Sequence, residues 1–306
     1  MSKVVLITGA YGFVGRYTAK YYKSMDYTVI GAGHGNWDST EYTLWGIDLW
    51  YECDITLDNL LAYAKNVDII VHCAGSGSVR FSIENPMLDF ERTVWTTHFI
   101  LEYIRKYAKN IKLIYPSSAA VYGLTKQLPI KEETSLNPIS PYGLHKKMAE
   151  ELCKMYAKQY GLSIIIMRLF SVYGDGLKKQ LLWDACKKIE KDNNVFWGTG
   201  EETRDWIHVK DVAMLMYIAR EKANNRCAIV NVASGQNVKI ADVLTSLFSS
   251  FSTSLKPVFG LEENLGNPEH YLADIQKIRQ WGWENTISLK DGIIEYVKWY
   301  KKYGKN

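Results

Sequence analysis

A glycine-rich turn close to the start of the sequence is the feature that most restricts its fold. Residues 4–7 form a short apolar run rich in β-branched side chains, which predicts a strand buried on both faces of a sheet. Residues 16–23 predict a helix, and residues 8–15 between them are Thr-Gly-Ala-Tyr-Gly-Phe-Val-Gly. This order of elements brings backbone N–H groups and a helix N-terminus against a pyrophosphate. An ordinary connection between a strand and a helix is the alternative interpretation.

The three glycines of this turn have separate tasks in a dinucleotide site. Gly9 allows the tight turn after the strand, Gly12 lets a phosphate approach the backbone, and Gly15 lets the helix pack closely on the strand. Their spacing is Gly-x-x-Gly-x-x-Gly, with two residues between successive glycines. The sequence therefore predicts a dinucleotide-binding turn.

Strand and helix patterns alternate through the first half of the chain. Further strands are predicted at residues 27–31, 67–71, 112–115 and 163–167. Longer helical patterns cover residues 86–107 and 142–160, and Gly161 is placed to end the second of them. The alternation predicts an α/β fold, a Rossmann-type doubly wound parallel sheet that binds ligands at the carboxyl ends of its strands.

The pattern changes after Arg168, where the predicted segments become shorter and less regular. We therefore expect residues 1–170 to form the dinucleotide-binding domain and residues 171–306 to form a smaller, mixed α/β substrate lobe. Residues 205–226 are expected to pack back on the first domain.

The composition excludes several classes of protein. The chain has 306 residues, an apolar content of 47% and a net charge of +4, so a soluble globular protein that binds no nucleic acid is expected. No apolar run is long enough for a membrane span, and a core strand begins within a few residues of the N-terminus. We therefore expect a cytoplasmic protein. The cysteines and histidines lack metal-ligand spacing, so no metal is expected.

The chemistry is indicated most directly by Tyr142 and Lys146. Residues four apart on a helix lie on the same face, so the ammonium could lower the pKa of the phenol from about 10 towards the working pH. Ser118, which lies earlier in the chain, adds a hydroxyl from a separate segment. The three side chains predict a proton relay to a sugar or alcohol oxygen. Without other context, the Tyr-x-x-x-Lys spacing more often marks an exposed pair on a helix.

Three segments that follow predicted strands carry further candidate ligands. Residues 54–55, Asp-Ile, could place a carboxylate near an adenine amino group, or the aspartate could cap a helix. Residues 72–78 are small and glycine-rich, which suits either the close passage of a dinucleotide or a tight loop. Residues 116–123 place Ser117 and Ser118 just past a strand end, where the hydroxyls could instead cap the next turn.

Together these segments resemble the extended short-chain dehydrogenase/reductase family, in its NAD(P)-dependent nucleotide-sugar epimerase/dehydratase branch. The resemblance covers nearly the whole chain. It rests on motifs that occur in the same order as in the family, at residues 8–15, 54–55, 72–75, 115–123, 140–146, 168–174 and 198–209.

The resemblance implies a role for each matching residue. Tyr142 is expected to be the general acid and base, Lys146 to lower its pKa and bind the nicotinamide ribose, and Ser118 to hold the same sugar oxygen. The implied cofactor contacts are Gly9, Tyr11, Gly12, Phe13, Val14, Gly15, His34, Asp54, Ile55, Cys73, Ala74, Gly75, Tyr142, Lys146 and Phe170. The implied substrate contacts are Ser78, Ser118, Phe196 and Arg204, with Arg204 gripping the diphosphate of a nucleotide-diphosphate sugar. The family also implies a homodimer through the helices at 86–107 and 142–160.

Departures from the family pattern bear on the reaction. Dehydratases of the family carry Asp-Glu after the catalytic hydroxyl residue, whereas Ala119 and Ala120 follow Ser118, so dehydration is not expected. No acid follows the second strand, where His34 and Asn36 lie, and this favours NADP over NAD as the cofactor. Thr93 and Ser171 also replace family asparagines.

Three functions follow from these features. The favoured one is a 4-keto-sugar reductase that acts at C4 of a nucleotide-activated sugar with NAD or NADP. The alternative is a nucleotide-sugar 4-epimerase, similar to UDP-glucose 4-epimerase, in which the same side chains serve oxidation and re-reduction. A non-catalytic cofactor-binding protein on the same fold is the third possibility, against which the intact Ser118, Tyr142 and Lys146 argue.

Overall fold

The structure is a computed structural model, and it describes residues 2–260 and 269–304. The chain divides into two compact units whose segments alternate along the sequence. The first unit consists of Met1–Leu124, Glu132–Leu169 and Val212–Val232. The second unit consists of Thr125–Lys131, Phe170–Asp211 and Ala233–Asn306, of which residues 261–268, 305 and 306 lie outside the described part.

The strands are numbered along the chain within the described residues. They are β1 (Val4–Thr8), β2 (Thr28–Gly33), β3 (Leu49–Glu52), β4 (Ile69–His72), β5 (Lys112–Ser118), β6 (Ser163–Leu169), β7 (Ser171–Tyr173), β8 (Val195–Phe196), β9 (Thr203–Arg204), β10 (Trp206–His208), β11 (Ala228–Val232), β12 (Val238–Lys239) and β13 (Val258–Phe259).

Seven parallel strands form the central sheet of the first unit, in the order β11-β6-β5-β4-β1-β2-β3. Val5, Leu6 and Ile7 are fully buried in β1, as a strand covered on both faces must be. The strand order reverses between β1 and β4, and open α/β sheets bind ligands at the carboxyl ends of the strands beside such a point. The Rossmann-type fold expected from the sequence is confirmed.

The helices of the described residues are numbered in the same way. They are α1 (Phe13–Ser24), α2 (Ser39–Leu44), α3 (Leu57–Tyr63), α4 (Val79–Glu84), α5 (Pro86–Phe90), α6 (Thr96–Tyr107), α7 (Pro141–Tyr160), α8 (Gln180–Ile189), α9 (Val209–Ala219), α10 (Ile240–Phe251), α11 (Gln276–Arg279) and α12 (Leu289–Tyr303).

Helix α7 has a start signal at its N-terminus and a stop signal at its C-terminus. The hydroxyl of Ser140 accepts a hydrogen bond from the Gly143 N–H at 3.2 Å, and Pro141 occupies the first turn, where its missing N–H is not needed. Gly161 ends the helix with a φ of 72°, a left-handed conformation that glycine adopts without a steric penalty. The helix therefore begins and ends close to the predicted limits.

The helical stretch that starts at Pro86 contains an irregularity that the sequence did not predict. Residues Glu91–Trp95 form a π-helical segment between α5 and α6. Such segments are rare and frequently lie at functional sites. Thr93 lies within this one and is buried, with its hydroxyl unpartnered among the described residues.

Strand β5 is longer than predicted. The sequence placed Ser117 and Ser118 just past the strand end, but the pairing with β6 continues from Lys112 to Ser118. Pro116 has no N–H to donate, yet its carbonyl and the residues on both sides keep the parallel register with β6. Both hydroxyls therefore lie at the last positions of the strand.

The second unit contains short strands that pair two by two: β10 with β7, β12 with β9, and β13 with β8. A buried carboxylate, that of Asp205, connects its loops. It accepts hydrogen bonds from the backbone N–H and the hydroxyl of Ser234, both at 2.8 Å, and from the backbone N–H groups of Gly235 and Ala273. These bonds satisfy a charge that would otherwise be costly to bury.

The sequence predicted neither a membrane span nor a metal site. Among the helices of the described residues, none combines the length and apolar character needed to cross a bilayer. The described residues also contain no group of three or more His, Cys, Asp or Glu side chains that could hold a metal ion. The five cysteines are free, and Cys153, Cys186 and Cys227 are buried.

Candidate active site

Ser118 and Tyr142 meet at the carboxyl end of β5. The hydroxyl of Ser118 accepts a hydrogen bond from the Ala120 N–H at 3.2 Å. The same hydroxyl lies near enough to the phenol of Tyr142 to lower the pKa of the phenol. Ser118 thus caps the next turn, as one interpretation of the sequence expected, and also faces the tyrosine. The oxygen of a sugar hydroxyl could form hydrogen bonds with both side chains.

Two close contacts fix the first turn of α7 beside this pair. A Cβ atom at Gly143 would lie 2.6 Å from the carbonyl oxygen of Ala120, so only glycine allows the helix to approach the turn after β5. The backbone N–H of Tyr142 donates to the hydroxyl of Ser82 on α4 at 3.0 Å. Tyr142 is therefore positioned by both neighbouring elements.

Lys146 lies one turn further along α7 and is 6% exposed. Its ammonium donates to the carbonyl oxygen of Pro116 at 2.9 Å and lies 5.0 Å from the centre of the Tyr115 ring. Burial lowers the pKa of Lys146 to about 8, against the opposing influence of the Cys73 thiol and the carboxylates of Asp89 and Glu150. The lysine can therefore change its charge near physiological pH.

The lowering of the Tyr142 pKa by Lys146 stays a prediction, and the burial of the phenol acts in the opposite direction. Burial raises the pKa of the phenol, the hydrogen bond with Ser118 lowers it in part, and the charge of Asp89 raises it further. The physical reason is that desolvation of the anionic form outweighs the other effects on this phenol. Tyr142 is therefore set to carry its proton.

The glycine turn after β1 has the geometry that a dinucleotide needs. Gly9 has a φ of 68°, and a Cβ atom there would lie 2.6 Å from the backbone nitrogen of Ala74. Gly12 is the N-cap of α1, with no side chain bonded to the first N–H groups of the helix. Those N–H groups are available to a phosphate, so the residues present fit a dinucleotide cofactor. Phe13, Val14 and Gly15 form the first turn of α1.

The ends of β1 and β4 are joined by a buried hydrogen-bonded pair. The hydroxyl of Thr8 lies 2.7 Å from Nδ1 of His72 and accepts a bond from the Ala74 N–H at 3.3 Å. Burial lowers the pKa of His72 to about 3, so this imidazole is neutral. The arrangement holds Cys73, Ala74 and Gly75, three predicted cofactor contacts, next to the glycine turn.

The predicted adenosine contacts lie at the carboxyl ends of β2 and β3. His34 Nε2 lies 2.7 Å from the Asp54 carboxylate, and both side chains are largely exposed. Asp54 is not the N-cap of α3, because the hydroxyl of Thr56 accepts the bond from the Asn59 N–H. Ile55 is buried. The carboxylate of Asp54 is thus free of the capping task that was its alternative interpretation.

Tyr11 covers the loop that follows β2. Its ring packs edge-on against Trp37 with centroids 5.1 Å apart, and a Cβ atom at Gly35 would lie 2.5 Å from the ring. The guanidinium of Arg16 lies 5.2 Å from the same ring. Tyr11 is 39% exposed, so one part of it remains accessible to a cofactor.

One predicted substrate contact lies in the first unit. The hydroxyl of Ser78 accepts the Phe81 N–H at 3.2 Å and is therefore the N-cap of α4. That bond uses the oxygen as an acceptor and leaves the hydroxyl proton for another partner. Its role in substrate binding stays a prediction.

The other predicted contacts lie in the second unit. Arg204 donates to the carbonyl oxygens of Thr203 and Glu269. Phe196 is buried, with its ring 6.0 Å from that of Phe248, whereas the following Trp197 is 67% exposed. The predicted cofactor contact Phe170 is also buried, and its ring lies 5.9 Å from that of Tyr271. The ligand roles of these residues stay predictions.

A buried ionic network that sequence reasoning missed supports β5, β6 and α7. Arg168 on β6 donates twice to the carboxylate of Glu150 on α7, at 3.0 and 2.7 Å. Ser117 donates to the same carboxylate at 2.6 Å, and Arg168 also donates to the Tyr122 hydroxyl at 2.9 Å. The signal in the sequence was the position of Glu150, four residues after Lys146 on the same helix.

A second buried pair was also missed, and it lies directly beside the relay. His145 precedes Lys146, and its Nδ1 lies 2.5 Å from the fully buried Asp89 carboxylate of α5. The sequence offered only a weak signal, a charged residue in the interior of a helical stretch. Partners on separate helices could not be matched from their spacing alone.

The fold and the site define a dinucleotide-dependent enzyme of the Rossmann type. Its glycine turn fits a pyrophosphate, and a serine, a tyrosine and a lysine lie together at the ligand edge of the sheet. Residues 5–233 match the model of the NAD dependent epimerase/dehydratase family. The chain belongs to this family, whose members include nucleotide-sugar epimerases and dehydratases of the extended short-chain dehydrogenase/reductase type.

Relatives and solved structures of similar proteins agree with this placement. A Methanocaldococcus jannaschii protein, provisionally named a UDP-glucose 4-epimerase, is 30% identical over 97% of this chain and 98% of its own length. The UDP-glucuronate 4-epimerase of Thermodesulfobacterium geofontis is 26% identical over 97% of this chain and 96% of its own. The Bacillus cereus UDP-glucuronic acid 4-epimerase, solved with UDP-glucuronic acid and NAD, is 27% identical with a TM-score of 0.86, over 98% of this chain and 99% of that one.

Proposed function

We propose that this protein is a 4-epimerase of a nucleoside-diphosphate sugar. The observation that carries the proposal is the placement of Ser118 beside the phenol of Tyr142, on the helix that also carries the buried Lys146. The relatives named as 4-epimerases support it over their full length. Ala119 and Ala120 follow Ser118, so this turn supplies no carboxyl group for the elimination of water.

The side chains would divide the work at the sugar's C4 oxygen. In its phenolate form Tyr142 would take the hydroxyl proton when the carbon is oxidised, and as the phenol it would return that proton when the carbon is reduced. Ser118 would hold the same oxygen, and Lys146 would stabilise the negative charge of the phenolate form. Bound NAD would supply the hydride chemistry at C4. A 4-epimerase would return the hydride to the opposite face of the same carbon.

We propose NAD as the cofactor, held by the glycine turn after β1. The Bacillus cereus relative was solved with NAD, and the Asp54 carboxylate beside His34 would offset the positive charge that a 2′-phosphate needs. The preference for NADP suggested by the missing acid after β2 stays a prediction. Calorimetric titration of the protein with NAD and with NADP tests both. Tighter binding of NADP would contradict the choice of NAD.

We assign cofactor binding to the first unit and nucleotide binding to the second. Arg204 is the proposed contact of the diphosphate, because its planar fork suits two phosphate oxygens. Ser78 and Phe196 are the other proposed substrate contacts. Replacement of Arg204 by Gln should weaken the binding of UDP and of UDP-sugars alike, because the diphosphate is common to both.

A substrate panel with an isotopic label tests the reaction. The protein is incubated with UDP-glucose, UDP-glucuronate or UDP-N-acetylglucosamine, each deuterated at C4, and the products are followed by NMR. An epimerase converts the sugar to its C4 epimer with the deuterium retained and without net consumption of NADH or NADPH. The 4-keto-sugar reductase favoured by the sequence would instead consume NADH or NADPH with a 4-keto sugar. Net consumption without epimerisation would overturn the proposal.

A homodimer is a further part of the proposal. Trp95 on the π-helical segment and Leu144, Met148 and Met155 on α7 are exposed by 52%, 46%, 39% and 40%. Large apolar side chains concentrated on adjacent helices are typical of surfaces that associate. The sequence resemblance assigned the same helices to the dimer.

A further inference from the structure

The buried carboxylate of Asp89 destabilises the fold, and packing alone does not explain its presence. Its side chain is fully buried on α5, and one oxygen lies 2.5 Å from Nδ1 of His145. The other oxygen, Oδ1, has no hydrogen-bond partner among the described residues. A buried carboxylate with only half of its hydrogen bonds destabilises a fold, and each such group in a native protein calls for an explanation.

The position of the pair connects it to the relay. His145 is the residue before Lys146 on α7, and Tyr142 lies one turn earlier on the same helix. The ring of Phe90, the neighbour of Asp89 on α5, packs edge-on against His145 with centroids 5.4 Å apart. The histidine is therefore held between the carboxylate and a ring of α5. The charge of Asp89 raises the pKa of both Tyr142 and Lys146.

The other acidic groups that raise the pKa of Lys146, the Cys73 thiol and the Glu150 carboxylate, are offset by burial or by a paired cation. Glu150 is neutralised by its two bonds from Arg168. Burial raises the pKa of Cys73 to about 12 and lowers that of His72 to about 3, so both are neutral at working pH. The remaining titratable neighbours are Cys153 and Tyr115, whose pKa values burial raises well above their usual range. Of the two carboxylates Asp89 and Glu150, Glu150 is thus the one that an arginine neutralises.

We propose that Asp89 is a positioning residue of the active site, which acts through Lys146 and Tyr142 as their buried counter-charge and is held in place by His145. The inference rests on the proposed function, because it takes Tyr142 as the group that exchanges a proton with the sugar. A negative charge beside both groups favours their protonated forms, the ammonium and the neutral phenol. Asp89 would therefore keep Lys146 charged to a higher pH than burial alone allows.

The first test needs no turnover. The folded protein is pulse-acetylated between pH 6 and 10, and mass spectrometry gives the extent of reaction at Lys146, since only the neutral amine reacts. In Asp89→Asn we expect the pH of half-reaction at Lys146 to fall by ~0.5–1 unit, because the counter-charge is lost. Glu102→Gln is the matched control: it removes a carboxylate that bonds Arg105 and Tyr156, and it should leave the Lys146 curve in place. An unchanged curve in Asp89→Asn would overturn the inference.

The second test reads the same charge through the reaction. In Asp89→Asn the alkaline limb of kcat/KM should move to lower pH by ~0.5–1 unit, since Lys146 would release its proton more easily. His145→Asn keeps the charge of Asp89 and loosens its position, so it should lower kcat with little movement of the limb. A limb that moves as far to lower pH in His145→Asn as in Asp89→Asn would contradict the assignment of the charge to Asp89.

A folding defect and a failure of the proposed function can each be distinguished from a failure of the role of Asp89. If Asp89→Asn does not fold, the double variant Asp89→Asn/His145→Asn replaces the ionic pair by two amides and is measured in both tests, with the same expected shifts. A wild-type protein that epimerises no nucleotide sugar would overturn the proposed function. An active wild-type protein with unshifted curves in the variants would overturn the role of Asp89 alone.

Discussion

At the scale of single residues, burial has more influence on this site than sequence spacing. The spacing of Tyr142 and Lys146 predicted a phenol of lowered pKa, but burial raises the pKa of Tyr142 and lowers that of Lys146 to about 8. Both shifts have the same cause, since a site that excludes water disfavours the charged form of each group. The spacing could show which groups are neighbours, whereas their protonation depends on how deeply the fold covers them.

Replacing Tyr142 by Phe tests the proton relay. The ring and its packing remain, so we expect NAD to bind with nearly unchanged affinity. Turnover should fall by roughly two to four orders of magnitude, the usual contribution of a general acid and base. Epimerisation rates by NMR and cofactor binding by calorimetry check the two expectations. A variant that keeps its full rate would remove Tyr142 from the chemistry.

The pKa of Lys146 predicts how activity depends on pH. Its folded-state pKa is lowered to about 8, so the ammonium is present below that pH and is lost as the pH rises through it. If the reaction needs the ammonium, the ratio of wild-type kcat/KM to that of Lys146→Arg should be level below pH 8 and should fall about tenfold per unit above it, because the titration of Tyr142 is common to both proteins. Lys146→Arg keeps its charge in this range, so its residual activity should lack this fall. A ratio that rises through pH 8 would contradict the prediction.

At the scale of elements, the sequence was informative where the signals are local. The glycine turn between β1 and α1, and the Ser140 and Gly161 ends of α7, each depend on a few adjacent residues. The sequence did not reveal the extension of β5 to Ser118, because that extension depends on pairing with β6. The π-helical segment Glu91–Trp95 has no local signature either.

The same distinction applies to the site. Ser118, Tyr142 and Lys146 could be named because their motifs are short, and the structure places the serine where it lowers the pKa of the tyrosine. The pair of Asp89 and His145 joins two helices that are more than fifty residues apart in the chain. No spacing rule links such partners, so a single sequence could not reveal them.

Removal of the Glu150 carboxylate tests how α7 is held to the sheet. Glu150→Gln leaves the Arg168 guanidinium, which is 1% exposed, without its ionic partner. Breaking a buried pair in this way typically destabilises a protein by ~3–5 kcal/mol. Urea unfolding followed by circular dichroism should show a clearly lower midpoint. Glu84→Gln breaks the exposed pair with Arg80 and should leave the midpoint in place. Equal midpoints for the two variants would show that the buried pair contributes little.

At the scale of the whole molecule, the exposed apolar side chains of the first unit predict how it associates. Trp95, Leu144, Met148 and Met155 lie on neighbouring helical segments that also carry the relay. Tyr142 and Lys146 lie on the same helix as three of these residues, so a partner that covers α7 would restrain the helix that positions the chemistry. Association and activity would then be linked through α7.

Met148→Glu tests this link, because it places a charge in the proposed interface without touching Tyr142 or Lys146. Burying an unpaired charge opposes association, so the dimer dissociation constant should rise at least tenfold, which corresponds to about 1.4 kcal/mol or more. Leu44→Glu is the control, since Leu44 is 71% exposed on α2, away from these helices in the sequence, and should leave association unchanged. Sedimentation velocity over a range of concentrations gives the dissociation constants.

If α7 is restrained by the partner, the specific activity of Met148→Glu should fall with dilution, in parallel with the dimer fraction. A wild-type protein that stays monomeric at all concentrations would exclude the dimer, and dissociation without loss of activity would show that α7 is rigid in the monomer.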